Sequence, residues 1–308
     1  MSAVIAADRL SKYYGNVLGL NEVSLAIEEG ITGLLGPNGA GKSTFMKLVT
    51  GQLKTDLGAV TVRGRRTWNS PDLFRDIGFC PEHDVFYEDM TGFEFVAGLM
   101  RLHGFPAAEA RERAARSLEL VDLAKDKDRL IRGYSRGMRQ RVKFAQAVAH
   151  DPGIVILDEP MSGLDPLGKR KLIRLIKDFK KEGRTILVSS HVLPEIEALT
   201  SRVVLIHQGR VLAEGDVPYI RDLIEAHPHQ ISVRSGDPRG LAARFVGDVS
   251  IQKMTFGADG RSLVIETHRR DEFFARLTGA VLEAGIEVEE ISSPDDNLQA
   301  VFEYLVGK

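Results

Sequence analysis

The run Gly36-Pro37-Asn38-Gly39-Ala40-Gly41-Lys42-Ser43 is the first place where residue types and spacing point to chemistry. Its glycines let successive backbone N–H groups converge on an anion, and a helix starting just after them adds the favourable end of its dipole. Lys42 brings a mobile positive charge suited to β and γ phosphates, and Ser43 a hydroxyl for Mg²⁺. A second constellation is Ile154-Val155-Ile156-Leu157-Asp158-Glu159, four apolar residues ending in two carboxylates. Such a strand delivers its acids to the carboxyl edge of a sheet, where ligands bind. There Asp158 would hold Mg²⁺ through its water shell, and Glu159 would polarise a water for attack on a γ-phosphate. His191 follows another strand-like run, 185–190, and would reach the same edge to contact the γ-phosphate or the attacking water. Taken alone, each has a plainer reading: a helix-capping turn, a strand leaving the core at a polar turn, a solvated loop histidine. Their presence together in one chain favours the chemical one.

Elements able to position these residues are legible around them. Strand-like alternation at 23–27 and a buried apolar run at 31–35 lead into the glycine loop, and Phe45, Leu48 and Val49 share one face of the helix beyond it. Gly51 sits where a left-handed cap would end that helix. Helical periods follow at 91–127, with a stripe of Phe93, Val96, Leu99 and Met100 interrupted by Gly104-Phe105-Pro106, so a mostly helical insert is expected at about 91–150. A strand at 154–157, a helix at 167–181 closed by Gly183 and a strand at 185–188 then imply a parallel sheet. After Gly215 come strands at 230–234, 250–256, 263–267 and 286–291 separated by two helical stretches. That βαββαβ order is ferredoxin-like, with a last helix at 296–305.

The 308 residues exceed one ordinary compact domain, so two are expected, 1–215 and 216–308. Lys+Arg at 41 against Asp+Glu at 43 leaves a charge of -2, which argues against bulk electrostatic binding of nucleic acid. The basic cluster Arg129, Arg132, Arg136, Arg139, Arg141 and Lys143 lacks interleaved aromatics and reads as a solvated helix face. The single cysteine, Cys80, cannot close a disulfide within the chain and reads as a small core residue of a protein in a reducing cytosol. No stretch approaches the ~18 apolar residues of a membrane helix, and the amino terminus does not read as a signal peptide, so the chain is expected to stay where it is made.

Two further motifs complete a resemblance. Tyr134-Ser135-Arg136-Gly137-Met138 resembles the signature motif of ABC ATPases, and Ser162-Gly163-Leu164-Asp165 resembles their D-loop. Ser135 is a good helix cap, and Gly137 lets the following backbone approach a phosphate at some cost to the helix. The resemblance covers about 1–215 and implies an α/β P-loop NTPase of ABC type with a helical subdomain, followed by a small C-terminal α+β ferredoxin-like domain. It further implies Tyr14 stacking on adenine, the loop from Gly36 through Thr44 on phosphate, and Ser43 and Asp158 on Mg²⁺. Glu159 would be the base and His191 the γ-phosphate sensor. Ser135, Gly137 and Asp165 would serve the nucleotide of an opposite subunit. Where a glutamine is commonest this chain has Glu82, whose oxygen still suits Mg²⁺.

The signature variant, with Tyr134 opening it and Met138-Arg139-Gln140-Arg141 following, is most similar to ATPases of export systems whose membrane subunit is a separate chain. The expected partners are therefore a second ATPase subunit, identical or not, and a transmembrane permease, with no nucleic acid. The expected place is the cytoplasmic face of the cell membrane. An importer ATPase with a regulatory C-terminal domain is the nearer alternative. A non-transport ABC ATPase is the more distant one.

Overall fold

The computed structural model describes residues 3–222 and 228–294. The chain divides into two compact units, Met1–Gly215 and Asp216–Lys308.

The first unit is organised on a six-stranded sheet in the order Arg210–Asp216, Arg202–His207, Ile31–Leu35, Thr185–Ser190, Ile154–Leu157, Ile77–Cys80. From Arg202–His207 to Ile77–Cys80 all neighbours are parallel. Every residue of the three central strands is buried. Burial on both faces is why these strands read as continuous apolar runs without alternation. The shared direction brings the ends of Ile31–Leu35, Ile154–Leu157 and Thr185–Ser190 to one edge of the sheet, with Leu157 beside Val188 and Leu35 beside Ser190.

A second sheet, antiparallel, was only partly foreseen. The expected strand at 23–27 is one end of Val17–Ile27, which pairs with Ile5–Tyr14; that strand pairs in turn with Leu57–Val62, and Arg65–Arg66 closes the order. Ile5–Tyr14 escaped notice because register shifts and a left-handed Arg9 (φ 43°) break the inward-outward alternation within it. The phosphate-loop helix, Lys42–Val49, packs in one core with residues of both sheets, and Phe45, Met46, Leu48 and Val49 are all fully buried. Burial of each such side chain is worth about 1.5–3 kcal/mol, so the helix that presents the loop is held rigidly from below. Gly51, at φ 69°, follows its end as expected.

The insert consists of the helices Gly92–Leu102, Ala107–Leu120 and Arg136–Val148. Thr91 and Glu94 form a reciprocal capping box at the first of these. Its buried face carries Phe95, Val96 and Met100, so the expected stripe is displaced: Phe93 and Leu99 are only half-buried. Phe93 lies beneath the cations of Arg111 and Lys127, an environment that suits a partly exposed ring.

In the second unit, His229–Ser235, Pro238–Arg244, Ile251–Phe256, Ser262–Thr267, Arg270–Ala284 and Val288–Ser292 follow one another as βαββαβ. Numbered by appearance, the strands lie 2-3-1-4 in one antiparallel sheet, the ferredoxin-like arrangement. Ile231, Val233, Leu263 and Ile265 meet Phe273 and Leu277 in its core, while Phe274 packs at the margin. The helix expected at 296–305 lies outside the described residues.

Candidate functional site

Asn38 through Thr44 line an open cleft of about 480 Å³ together with Tyr14, Glu82, Glu159 and Val17-Leu18-Gly19 at the start of the strand Val17–Ile27. The chain can make this loop because of particular glycines. A Cβ at Gly36 would meet the Ile206 carbonyl oxygen at 2.1 Å, so no side chain fits there, and Gly41 caps the helix at φ 111° with Leu20 and Gly19 close to where its side chain would be. Tyr14 stands half-exposed at the rim, its hydroxyl 3.3 Å from Thr44 Oγ1.

Lys42 is buried, and its Nζ donates to the carbonyls of Gly36 (2.7 Å) and Pro37 (3.2 Å). It also lies 3.6 Å from Glu159 Oε1. The other Glu159 oxygen, Oε2, is 3.0 Å from His191 Nδ1. Phosphate loop, acid pair and histidine therefore converge although they are far apart in the chain. Glu159 Oε1 is buried and accepts no hydrogen bond from the described residues. A carboxylate oxygen in that condition retains a lone pair for a proton, which a general base requires.

Asp158 lies just behind, 1% exposed, its amide donating to the Cys80 carbonyl. Glu82 is held from its backbone, because the buried Lys143 ammonium donates to its carbonyl at 2.5 Å. Cys80 is the core residue expected: burial pushes its thiol up to about 12, and it accepts from Gln140 Nε2 at 3.8 Å. Much of the basic cluster is neutralised internally, Arg129 on Asp126, Arg132 on Asp89, Arg139 in a two-pronged contact with Glu88, and Lys143 on Asp84.

The remaining expected residues do not line this cleft. Ser135 is exposed and caps the helix Arg136–Val148 by accepting from the Met138 amide. Gly137 faces the Gly163 carbonyl, and Arg136 donates to Ser162 Oγ at 2.8 Å, so the signature and the D-loop adjoin within one chain. Asp165 caps the helix Pro166–Lys181, accepting from the Gly168 amide at 2.7 Å. Two residues absent from the sequence reading end the strand Thr185–Ser190 beside the acid pair. Ser189 bridges Asp158 and the Glu159 amide, and Ser190 bonds Glu195 and the Val192 amide beside His191. Two polar residues ending a buried strand mark the place, but the sequence does not show what they bond.

Comparison with known proteins agrees with this geometry. The family model described as ABC transporter matches residues 20–162. The daunorubicin resistance ATP-binding protein DrrA3 of Streptomyces coeruleorubidus is 31% identical over 98% of this chain and 96% of its own length. This chain belongs to the ABC transporter ATP-binding proteins. The bacitracin transport ATP-binding protein BcrA of Bacillus licheniformis is likewise 31% identical, over 100% of this chain and 98% of its own. Among solved structures, an ATP-binding subunit of an ABC transporter superposes with a TM-score of 0.65 at 31% identity, covering 71% of this chain and 92% of its own. The dimeric bacterial ABC transporter cassette MJ0796 gives 0.63 at 26% identity, covering 69% of this chain and 98% of its own. As an ABC ATP-binding subunit, the protein binds and hydrolyses ATP.

The glycine geometry gives a direct test in this ABC ATPase. Gly41→Ala would place a methyl 2.7 Å from Leu20 and 2.8 Å from the Gly19 carbonyl in a backbone conformation that side chains avoid. Stability is expected to fall by about 1–3 kcal/mol, seen as a lower thermal midpoint in the absence of nucleotide. An unchanged midpoint would mean that the loop adopts another backbone path.

Proposed function

We propose that this chain powers an ABC exporter as one half of an ATP-driven dimer, seated beneath a separate permease at the cytoplasmic face of the membrane. The observation that carries the dimer is the separation of parts: the loop and Glu159 line one cleft, with His191 3.0 Å from Glu159, while the exposed Ser135 and the half-buried Gly137 at a helix amino terminus do not line it. An amino terminus of that kind favours an anion, and a second copy offers one in its own cleft. Closure is then favoured only by contacts made in the closed state, which is how nucleotide binding shifts a population. The solved dimer of MJ0796 shows that a cassette of this fold pairs.

In this reading Tyr14 stacks on adenine, and the loop from Gly36 through Thr44, with Lys42, holds the phosphates. Ser43, Glu82 and Asp158 supply oxygen donors, a set that fits Mg²⁺, whose charge would neutralise the phosphate oxygens when bound. Glu159 accepts a proton from the attacking water, His191 holds Glu159 from its other oxygen, and Asp165 fixes the D-loop at the shared interface. Export is supported by relatives named for drug resistance and bacitracin transport that align along nearly the whole chain, including the second unit. Affinity purification of the tagged chain from native membranes should recover a multi-span permease. Recovery of a solute receptor with it would instead favour import.

The unit at 216–308 is assigned the part of holding or tuning the dimer, without a role in hydrolysis. Truncation after Gly215 should leave ATP affinity intact and raise the protein concentration at which hydrolysis becomes half-maximal. A folded fragment that no longer binds ATP would refute this division of labour.

A further inference from the structure

Ser189 occupies a position that no motif describes. Parallel pairing sets Leu157 beside Val188, so one step further on Asp158 comes beside Ser189, at the edge where both strands end. Ser189 is fully buried. Its Oγ donates to Asp158 Oδ1 at 2.6 Å and accepts from the Glu159 amide at 2.9 Å. A hydroxyl has one proton, so donating it to Asp158 turns the oxygen lone pairs toward that amide. The amide belongs to a residue at φ 49°, an uncommon conformation for any side chain other than glycine's and one that persists only where surroundings impose it. In that conformation the Glu159 carboxylate lies between Lys42 and His191.

We propose that Ser189 is a positioning residue for hydrolysis, one hydroxyl that orients the Asp158 carboxylate and locks the strained backbone of Glu159. The proposal rests on the reading of Asp158 and Glu159 as the paired acids of the site. Ser189 lines no part of the nucleotide cleft, so it acts on turnover and leaves capture of ATP alone. Its neighbour has another task, because successive strand residues face opposite ways: Ser190 Oγ donates to Glu195 and accepts from the Val192 amide, tying down the segment after His191.

The test compares Ser189→Ala and Ser189→Thr in the full chain, with Glu159→Gln alongside. Ser189→Ala is expected to lower kcat by ~10–100-fold, the scale of one lost hydrogen bond to a charged group, while ATP affinity measured in EDTA stays within about twofold. Hydrogen exchange of the segment containing the Glu159 amide should quicken in the nucleotide-free protein, a change that needs no bound metal. Ser189→Thr, which keeps the hydroxyl, should recover most of the turnover. The idea is overturned if Ser189→Ala keeps more than half of wild-type kcat. It is equally overturned if ATP affinity, thermal stability and turnover fall together and threonine restores none of them, since that describes packing alone. Retained turnover in Glu159→Gln would strike the reading of the acid pair itself, and is seen in a different variant.

Discussion

Glu159→Gln is expected to reduce steady-state ATP hydrolysis by ~10²–10⁴-fold, the range typical of a lost general base, with ATP affinity nearly unchanged. The substitution keeps the shape of a side chain that is 6% exposed and has His191 Nδ1 at 3.0 Å from one oxygen. What it removes is the negative charge and the basic lone pair on Oε1, the oxygen that accepts no hydrogen bond from the described residues. The phosphate loop does not depend on that charge for its conformation, because Lys42 is braced by the Gly36 and Pro37 carbonyls. The variant should therefore capture ATP and hold it. Kinetics under steady-state and single-turnover conditions, with a parallel ATP titration, measure both halves. A variant keeping more than half of wild-type turnover would remove Glu159 from the role of base.

Lys42→Ala should fail at the earlier step. Its ammonium is buried at the mouth of the loop helix, and the carbonyls it now contacts are those of the loop itself. A phosphate arriving there offers the ammonium an anionic oxygen in place of neutral carbonyl acceptors, adding charge on the acceptor side to a bond whose donor is already charged. Loss of ~1.5–3 kcal/mol per such contact corresponds to ATP binding weaker by roughly one to two orders of magnitude, and by more if two oxygens are engaged. The same charge is missing in the transition state, so hydrolysis should fall too. Unlike Glu159→Gln, this variant also leaves Glu159 without the cation 3.6 Å away. Isothermal titration showing wild-type ATP affinity would mean that the loop does not hold the phosphates.

Residues 36–43 were legible from the amino acids because their conformation is local: glycines permit the positive φ values of Gly39 and Gly41, and a lysine and serine placed at a helix start face whatever the loop encloses. The acids 158 and 159 were legible for a similar reason, since polar residues that follow four apolar ones buried on both faces must lie at the sheet's edge. The order of elements in the second unit also followed from local patterns. Its strand order was expected only through the ferredoxin-like pattern, because βαββαβ by itself fixes the sequence of elements and not which edges pair.

Only the tertiary structure decided which distant groups meet. Lys42, Glu159 and His191 come from three segments, and their contacts at 3.6 and 3.0 Å follow from parallel register. Ser189 was invisible beforehand because its partners are 30 and 31 residues away. In a strand, a slip of one residue would have turned its hydroxyl to the opposite face. The same holds for Lys143, whose ammonium reaches the Glu82 carbonyl across a separation of 61 residues. Composition, spacing and local backbone preference thus determined that this chain carries a phosphate loop, an acid pair and a helical insert. Register and burial decided how they are aimed, because long-range hydrogen bonds form only after the sheet has set its strands side by side.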